Sequence, residues 1–111
     1  MTRVEYTKQR GRRAICVKGH ADYAEKGKDI VCAAISALTF ALAQSLMDHE
    51  TIIESHISLE EGDAMISASC KHAEHEWTLE TLFEFAMNGL RMLQVQYEDH
   101  VKVTENAFFK E

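Results

Sequence analysis

No proline occurs in this 111-residue sequence, and glycine occurs only five times. Helices and strands therefore run without their commonest interruptions, and turns have few places to form. Cysteine is scarce too. Cys16, Cys32 and Cys70 are odd in number and widely spaced, which argues against a disulfide framework. Free thiols suit a reducing compartment, where each is either filler or reagent, so a cytoplasmic protein is expected. The chain has no low-complexity tract, internal repeat or linker, and its first residues lack the basic-then-apolar layout of a secretory leader. The longest apolar-rich run, Ile30 to Ala43, carries Ser36 and Thr39 and lies between Asp29 and Asp48. It is read as too interrupted to cross a bilayer, which takes about 18 apolar residues.

What is present describes one ordinary domain over residues 1–111, 46% hydrophobic and 27% charged. Charge is unevenly spread. Arg3, Lys8, Arg10, Arg12, Arg13 and Lys18 face Glu5 alone in the first 18 residues, whereas the remainder is strongly acidic and the net charge is −6. The acidic bulk favours a basic partner and disfavours nucleic acid through long-range steering. The basic start reads as a solvated hairpin edge guarded by positive charge.

Alternation places strands around Val4 and Tyr6 and over residues 13–18, joined by a turn at Gln9-Arg10-Gly11. After a loop over 19–29, punctuated by Gly19 and Gly27 and expected to be mobile, a helix runs from about Ile30 to Met47 with Asp29 as its N-cap. Ile53, Ile57 and Leu59 begin a second hairpin, which turns at Glu61-Gly62-Asp63 into a strand over Ala64 to Ser69. A second helix starts between Glu74 and Thr78, ends near Tyr97, and carries the stripe Leu79, Leu82, Phe83, Ala86, Leu90, Leu93. Val101 to Val103 forms a short last strand. The order ββαββαβ predicts an α+β fold, with an antiparallel or mixed sheet packed against two helices. The first helix is apolar nearly all round: Val31, Ile35, Leu38, Leu42 and Leu46 form a heavy stripe, and Cys32, Ser36, Thr39 and Ala43 a small-residue one. The small stripe calls for a close-packed backbone or a partner subunit, and a homodimer is expected.

The chemistry concentrates at the start of that helix. With Asp29 at the N-cap, Cys32 falls at N3, beside the free N–H groups and the positive end of the helix dipole. That setting lowers the pKa of a thiol. His20, at the end of a strand, is the candidate base for the thiol and the acid for a leaving amine. The N–H groups of Cys32 and Ala33 are candidates for an oxyanion hole. Ser36, one turn on, can reach toward the sulfur or the substrate. Asp29 either caps the helix or orients His20.

The run Gly19-His20-Ala21, Tyr23-Ala24, Gly27, Asp29-Ile30-Val31-Cys32-Ala33 and Ser36-Ala37 resembles the signature of the ribosomal-processing cysteine protease Prp family. Order and length of elements match across essentially the whole chain. The resemblance implies that His20 and Cys32 are a catalytic pair supported by Gly19, Asp29 and Ser36. It also implies a small α+β homodimer that needs no cofactor. The substrate it implies is the N-terminal extension of a large-subunit ribosomal protein, cut after an apolar segment with paired phenylalanines. Related phage-encoded members point to capsid or scaffold precursors instead.

Two further features compete for attention. Cys70, His72 and His75, with Glu74 and Glu76, are ligand types for zinc, although their spacing fits no established pattern and a solvated polar turn is preferred. The tail over 106–111 carries Phe108-Phe109 and is expected to be disordered. An alternative to catalysis is a dimeric peptide-binding module associated with ribosome or phage assembly, in which the 19–29 loop only docks a peptide.

Overall fold

The computed structural model describes residues 1–109. Strands β1 (Thr2–Gln9) and β2 (Arg12–Lys18) precede helix α1 (Ile30–Asp48). Strands β3 (Ile53–Glu60) and β4 (Asp63–Cys70) follow, then a single 3-10 turn over Ala73–His75, helix α2 (Glu76–Gln96) and strand β5 (Val101–Phe108). This is the expected ββαββαβ order, and the class is α+β.

The five strands form one sheet in the order β3-β4-β2-β1-β5. All neighbours are antiparallel except β1 and β5, so the sheet is mixed. Alternation gives the sheet an apolar face: Val4 and Tyr6 of β1, Ile15 and Val17 of β2, and Ala64, Ile66 and Ala68 of β4 are all buried. Val31, Ile35, Leu42 and Leu46 of α1, with Leu79, Phe83, Met87 and Leu90 of α2, complete the same core. Tyr6 stacks on Phe83 with ring centroids 6.1 Å apart, tying the sheet centre to α2.

Several expectations are corrected. The basic first hairpin is not an edge, because β2 and β1 lie in the middle of the sheet. Arg13 is only 2% exposed and pairs with Glu76 and Glu80 of α2, while Lys8 pairs with Glu80 and Glu84. A buried cation demands counter-charge, and the acidic face of α2 supplies it. The last strand is longer than expected and takes in most of the tail. Asn106, Ala107 and Phe108 pair in register with Thr7, Lys8 and Gln9. The Phe109 ring lies 5.8 Å from the Arg13 guanidinium. Residues 110–111 of the tail lie outside the described residues.

Helix α1 also departs from its reading. By length and composition it is apolar enough to cross a membrane, 19 residues long with a mean hydropathy of 1.9 over an 18-residue window, so composition does not exclude a span. In this fold it is a packed helix of the α+β domain. Its small-residue stripe divides: Thr39 and Ala43 are buried, Cys32 is half-buried and Ser36 is exposed. The half nearest the N-terminus is thus left open for a site.

Candidate active site

The loop between β2 and α1 is tied down along its first half. Gly19 has φ +88°, and a side chain there would meet the Met1 carbonyl at 2.6 Å, so only glycine fits the turn out of β2. Its N–H donates to the Gly62 carbonyl at 2.9 Å, joining the loop to the β3–β4 turn. Ala21 is wholly buried; its N–H donates to Cys32 Sγ at 3.4 Å, and its carbonyl accepts from His100 Nδ1 at 2.8 Å. The Tyr23 ring meets Tyr97 and His100 edge-on, each at 5.3 Å between centroids. Residues 19–24 are thus held by contacts to three other elements, the β3–β4 turn, α1 and the α2–β5 junction.

Asp29 explains much of this. Its Oδ1 accepts from the N–H groups of Val31 and Cys32, both at 3.0 Å, which is the helix cap. Its Oδ2 accepts from the N–H groups of Tyr23 at 2.9 Å and Ala24 at 3.3 Å. Partial burial works to raise its pKa, but the N–H bonds from Cys32, Ala24 and Tyr23, with a smaller contribution from the Cys32 thiol, outweigh it and hold the carboxyl below its ordinary range. With both oxygens engaged by backbone donors, Asp29 acts as helix cap and loop anchor. Between the two roles left open for it, the geometry favours the cap.

His20 is exposed, and its ring lies across the β3–β4 turn. A methyl group at Gly62, where φ is +73°, would stand 2.7 Å from His20 Nε2. Gly62 is thus the floor under the imidazole. Gly19, His20, Asp29, Cys32, Ala33 and Ser36 all line one cleft of about 930 Å³. One wall of that cleft is apolar, with the exposed side chains of Ile30, Phe40 and Leu59. Every residue singled out for the thiol chemistry therefore meets in one place.

The oxyanion assignment fares less well. The Cys32 N–H is spent on Asp29 Oδ1, and the Ala33 N–H donates to the Asp29 carbonyl at 3.1 Å. Capping uses the very donors that the sequence offered for an oxyanion, so neither is free in this state. Sequence reasoning missed the roles of three contributors: Gly62, Ala21 and His100. Gly62 was visible as the turn glycine between β3 and β4 and Ala21 as part of the signature run, whereas His100 left no signal.

The other two thiols differ in setting. Cys70 Sγ lies 3.7 Å from Glu76 Oε2, and burial first, then the Glu76 charge, pushes its pKa up. His72 and His75 face each other edge-on at 5.9 Å. No grouping of three or more His, Cys, Asp or Glu side chains capable of holding a metal occurs among the described residues.

Residues 1–102 match the family described as cysteine protease Prp. The chain belongs to the Prp family of cysteine proteases. Among its relatives is the ribosomal processing cysteine protease Prp of Mycoplasma genitalium, 29% identical over 94 residues that span 85% of this chain and 89% of that protein. The fold resembles that of Prp from S. aureus in complex with a covalently linked product peptide. The TM-score there is 0.75 at 22% identity, covering 96% of this chain and all of that one. The same S. aureus protease in complex with a substrate peptide aligns with a TM-score of 0.72 at 19% identity, with the same coverage. Membership of the Prp family makes this chain a cysteine protease.

Proposed function

We propose that this chain is an endopeptidase in which Cys32 is the nucleophile and His20 the general base and acid. The observation that carries the reading is that Cys32 sits at a capped helix start, in the same cleft as His20, with a backbone N–H aimed at its sulfur. His20 takes the thiol proton, and the thiolate attacks the scissile carbonyl carbon. The resulting imidazolium gives that proton to the leaving amine, so the C–N bond breaks and an acyl-thioester remains. Water then attacks the thioester with His20 again as base, releasing the acid and restoring the thiol.

The substrate we propose is the N-terminal extension of a ribosomal large-subunit protein, by extension from the relatives' ribosomal processing role. A phage capsid or scaffold precursor is the second candidate. The apolar wall of Ile30, Phe40 and Leu59 suits a segment with apolar side chains, and a volume of about 930 Å³ accommodates several residues of an extended peptide. We further propose a cytoplasmic homodimer. The free thiols support the compartment, and the exposed Trp77, Phe85, Met92 and Val95 along α2 support self-association. A panel of tagged N-terminal peptides from ribosomal and capsid proteins tests the activity. Cleavage that disappears in Cys32→Ser and in His20→Ala, with the fold intact, is the expected result. A panel left whole by the wild-type protein, or cut equally by both variants, overturns it.

A further inference from the structure

Resting on the proposed roles of Cys32 and His20, we infer that His100 is a positioning residue for the reaction. It holds residue 21 so that the Ala21 N–H stays on the sulfur and the adjacent His20 stays over the cleft.

The two bonds that meet at Ala21 make the case. Its carbonyl accepts from His100 Nδ1 at 2.8 Å, across 79 residues of sequence. A carbonyl only accepts, so Nδ1 carries the proton in this contact. The Ala21 N–H in turn donates to Cys32 Sγ at 3.4 Å. Ala21 is 0% exposed, so neither polar group has water as a substitute. Remove the His100 donor, and a buried carbonyl is left without a partner. The backbone at residue 21 then gains by rotating toward solvent, and the N–H leaves the sulfur as it does so.

His100 is built as a fixed post for this task. Its own N–H donates to the Tyr97 carbonyl at 2.8 Å, and its carbonyl accepts from the Thr2 N–H at 2.9 Å. The ring is braced by Tyr23, whose edge-on contact also reaches Tyr97. The post therefore stands at the α2–β5 junction and the start of β1. Beyond Ala21 the chain turns through Asp22 at φ 55°, a left-handed conformation that aspartate tolerates better than most residues. Asp29 Oδ2 clamps it from the far side through Tyr23 and Ala24. His100 and Asp29 thus grip residues 21–24 from opposite ends, and the Ala21 N–H at one of them meets the sulfur.

The test compares His100→Phe, which keeps a ring against Tyr23 but has no donor, with His100→Asn, whose side-chain N–H stands near the Nδ1 position. Peptide cleavage and iodoacetamide labelling of Cys32 are followed from pH 5 to pH 9, with thermal unfolding as the control for folding. His100→Phe is expected to slow both by about threefold to tenfold at neutral pH, the worth of one hydrogen bond, and to displace the labelling profile toward higher pH. His100→Asn is expected to restore both. His100→Leu serves as a second donor-free variant, uncharged and close in size to the rescuing one, and is expected to behave like His100→Phe. Phe and Leu variants that match wild type in labelling overturn the inference, even if their stability falls. A wild-type Cys32 that does not label faster than Cys16 and Cys70 sinks the catalytic reading instead, and this inference with it.

Discussion

Replacing Asp29 by asparagine separates two jobs that one carboxylate performs. Oδ1 accepts from the N–H groups of Val31 and Cys32, and Oδ2 from those of Tyr23 and Ala24. An amide has only one oxygen. Whichever way it flips, one pair of N–H groups faces an NH₂ group instead of an acceptor. Asparagine caps helices about as well as aspartate, so the helix start holds if the oxygen stays there, at a cost below about 1 kcal/mol. The loop then loses its clamp, and Ala21 and His20 lose their placement. Asp29→Ala loses both pairs and costs about 1 kcal/mol or slightly more, near fivefold in the folding equilibrium. The expectation is an ordering by stability of wild type, Asn, Ala. Peptide cleavage by Asp29→Asn falls about threefold to tenfold, well beyond its small stability loss. Urea unfolding at neutral pH gives the stabilities, and initial cleavage rates give the activities. An Asn variant with full cleavage refutes the clamp; one as unstable as Ala refutes the assignment of Oδ1 to the cap.

Other consequences are equally direct. Gly62→Ala places a methyl group against His20 in a backbone with φ +73°, so it costs about 1–2 kcal/mol and lowers cleavage by displacing the imidazole, as parallel unfolding and rate measurements will show. Glu76→Gln combined with Glu80→Gln strips the buried Arg13 of its counter-charges and costs about 3–5 kcal/mol in urea unfolding, whereas Arg13→Met, which leaves two carboxylates in partial contact with water, costs less. Burial acts to raise the pKa of Glu80, but Arg13 and Lys8 outweigh it and hold the carboxyl below its ordinary 4.5; for Asp29, N–H bonds overcome burial and hold it below 3.8. Both depressed groups contribute stability that is fully present above those ordinary values and lost as pH falls through them, so the urea midpoint is expected to hold from pH 7 to about 5 and to drop toward pH 3. Deleting residues 106–111 removes the β5 pairing of Asn106, Ala107 and Phe108 with β1, and is expected to lower thermal stability without raising activity.

The sequence made the fold readable because its periods are clean. Alternation in β1, β2 and β4 and the 3.6-residue stripe of α2 each had one dominant reading, and the Asp29 cap located the start of α1. Cys32 and His20 were singled out for a similar reason: a capped thiol and a strand-end histidine are local patterns. What could not be read was set by contacts distant in the chain. That Arg13 is buried depends on α2 lying over the middle of the sheet, some 63 residues away, which no local charge pattern reveals. The strand character of Asn106 to Phe108 comes from pairing with β1, since Thr104, Glu105 and Asn106 have no apolar alternation of their own. His100 touches Ala21 only because the α2–β5 junction folds over the β2–α1 loop. The oxyanion reading failed locally, because one cap residue occupies both N–H groups through its side chain and its carbonyl.

The most direct measurement titrates peptide cleavage against alkylation of each thiol, mapped by mass spectrometry at neutral pH. Cys70, whose thiol is held protonated by burial and by Glu76, should label slowly. Cys32 should label first, and residual cleavage should fall in proportion to its modification, with His20→Ala slowing both. Cleavage that persists once Cys32 is fully alkylated contradicts the account.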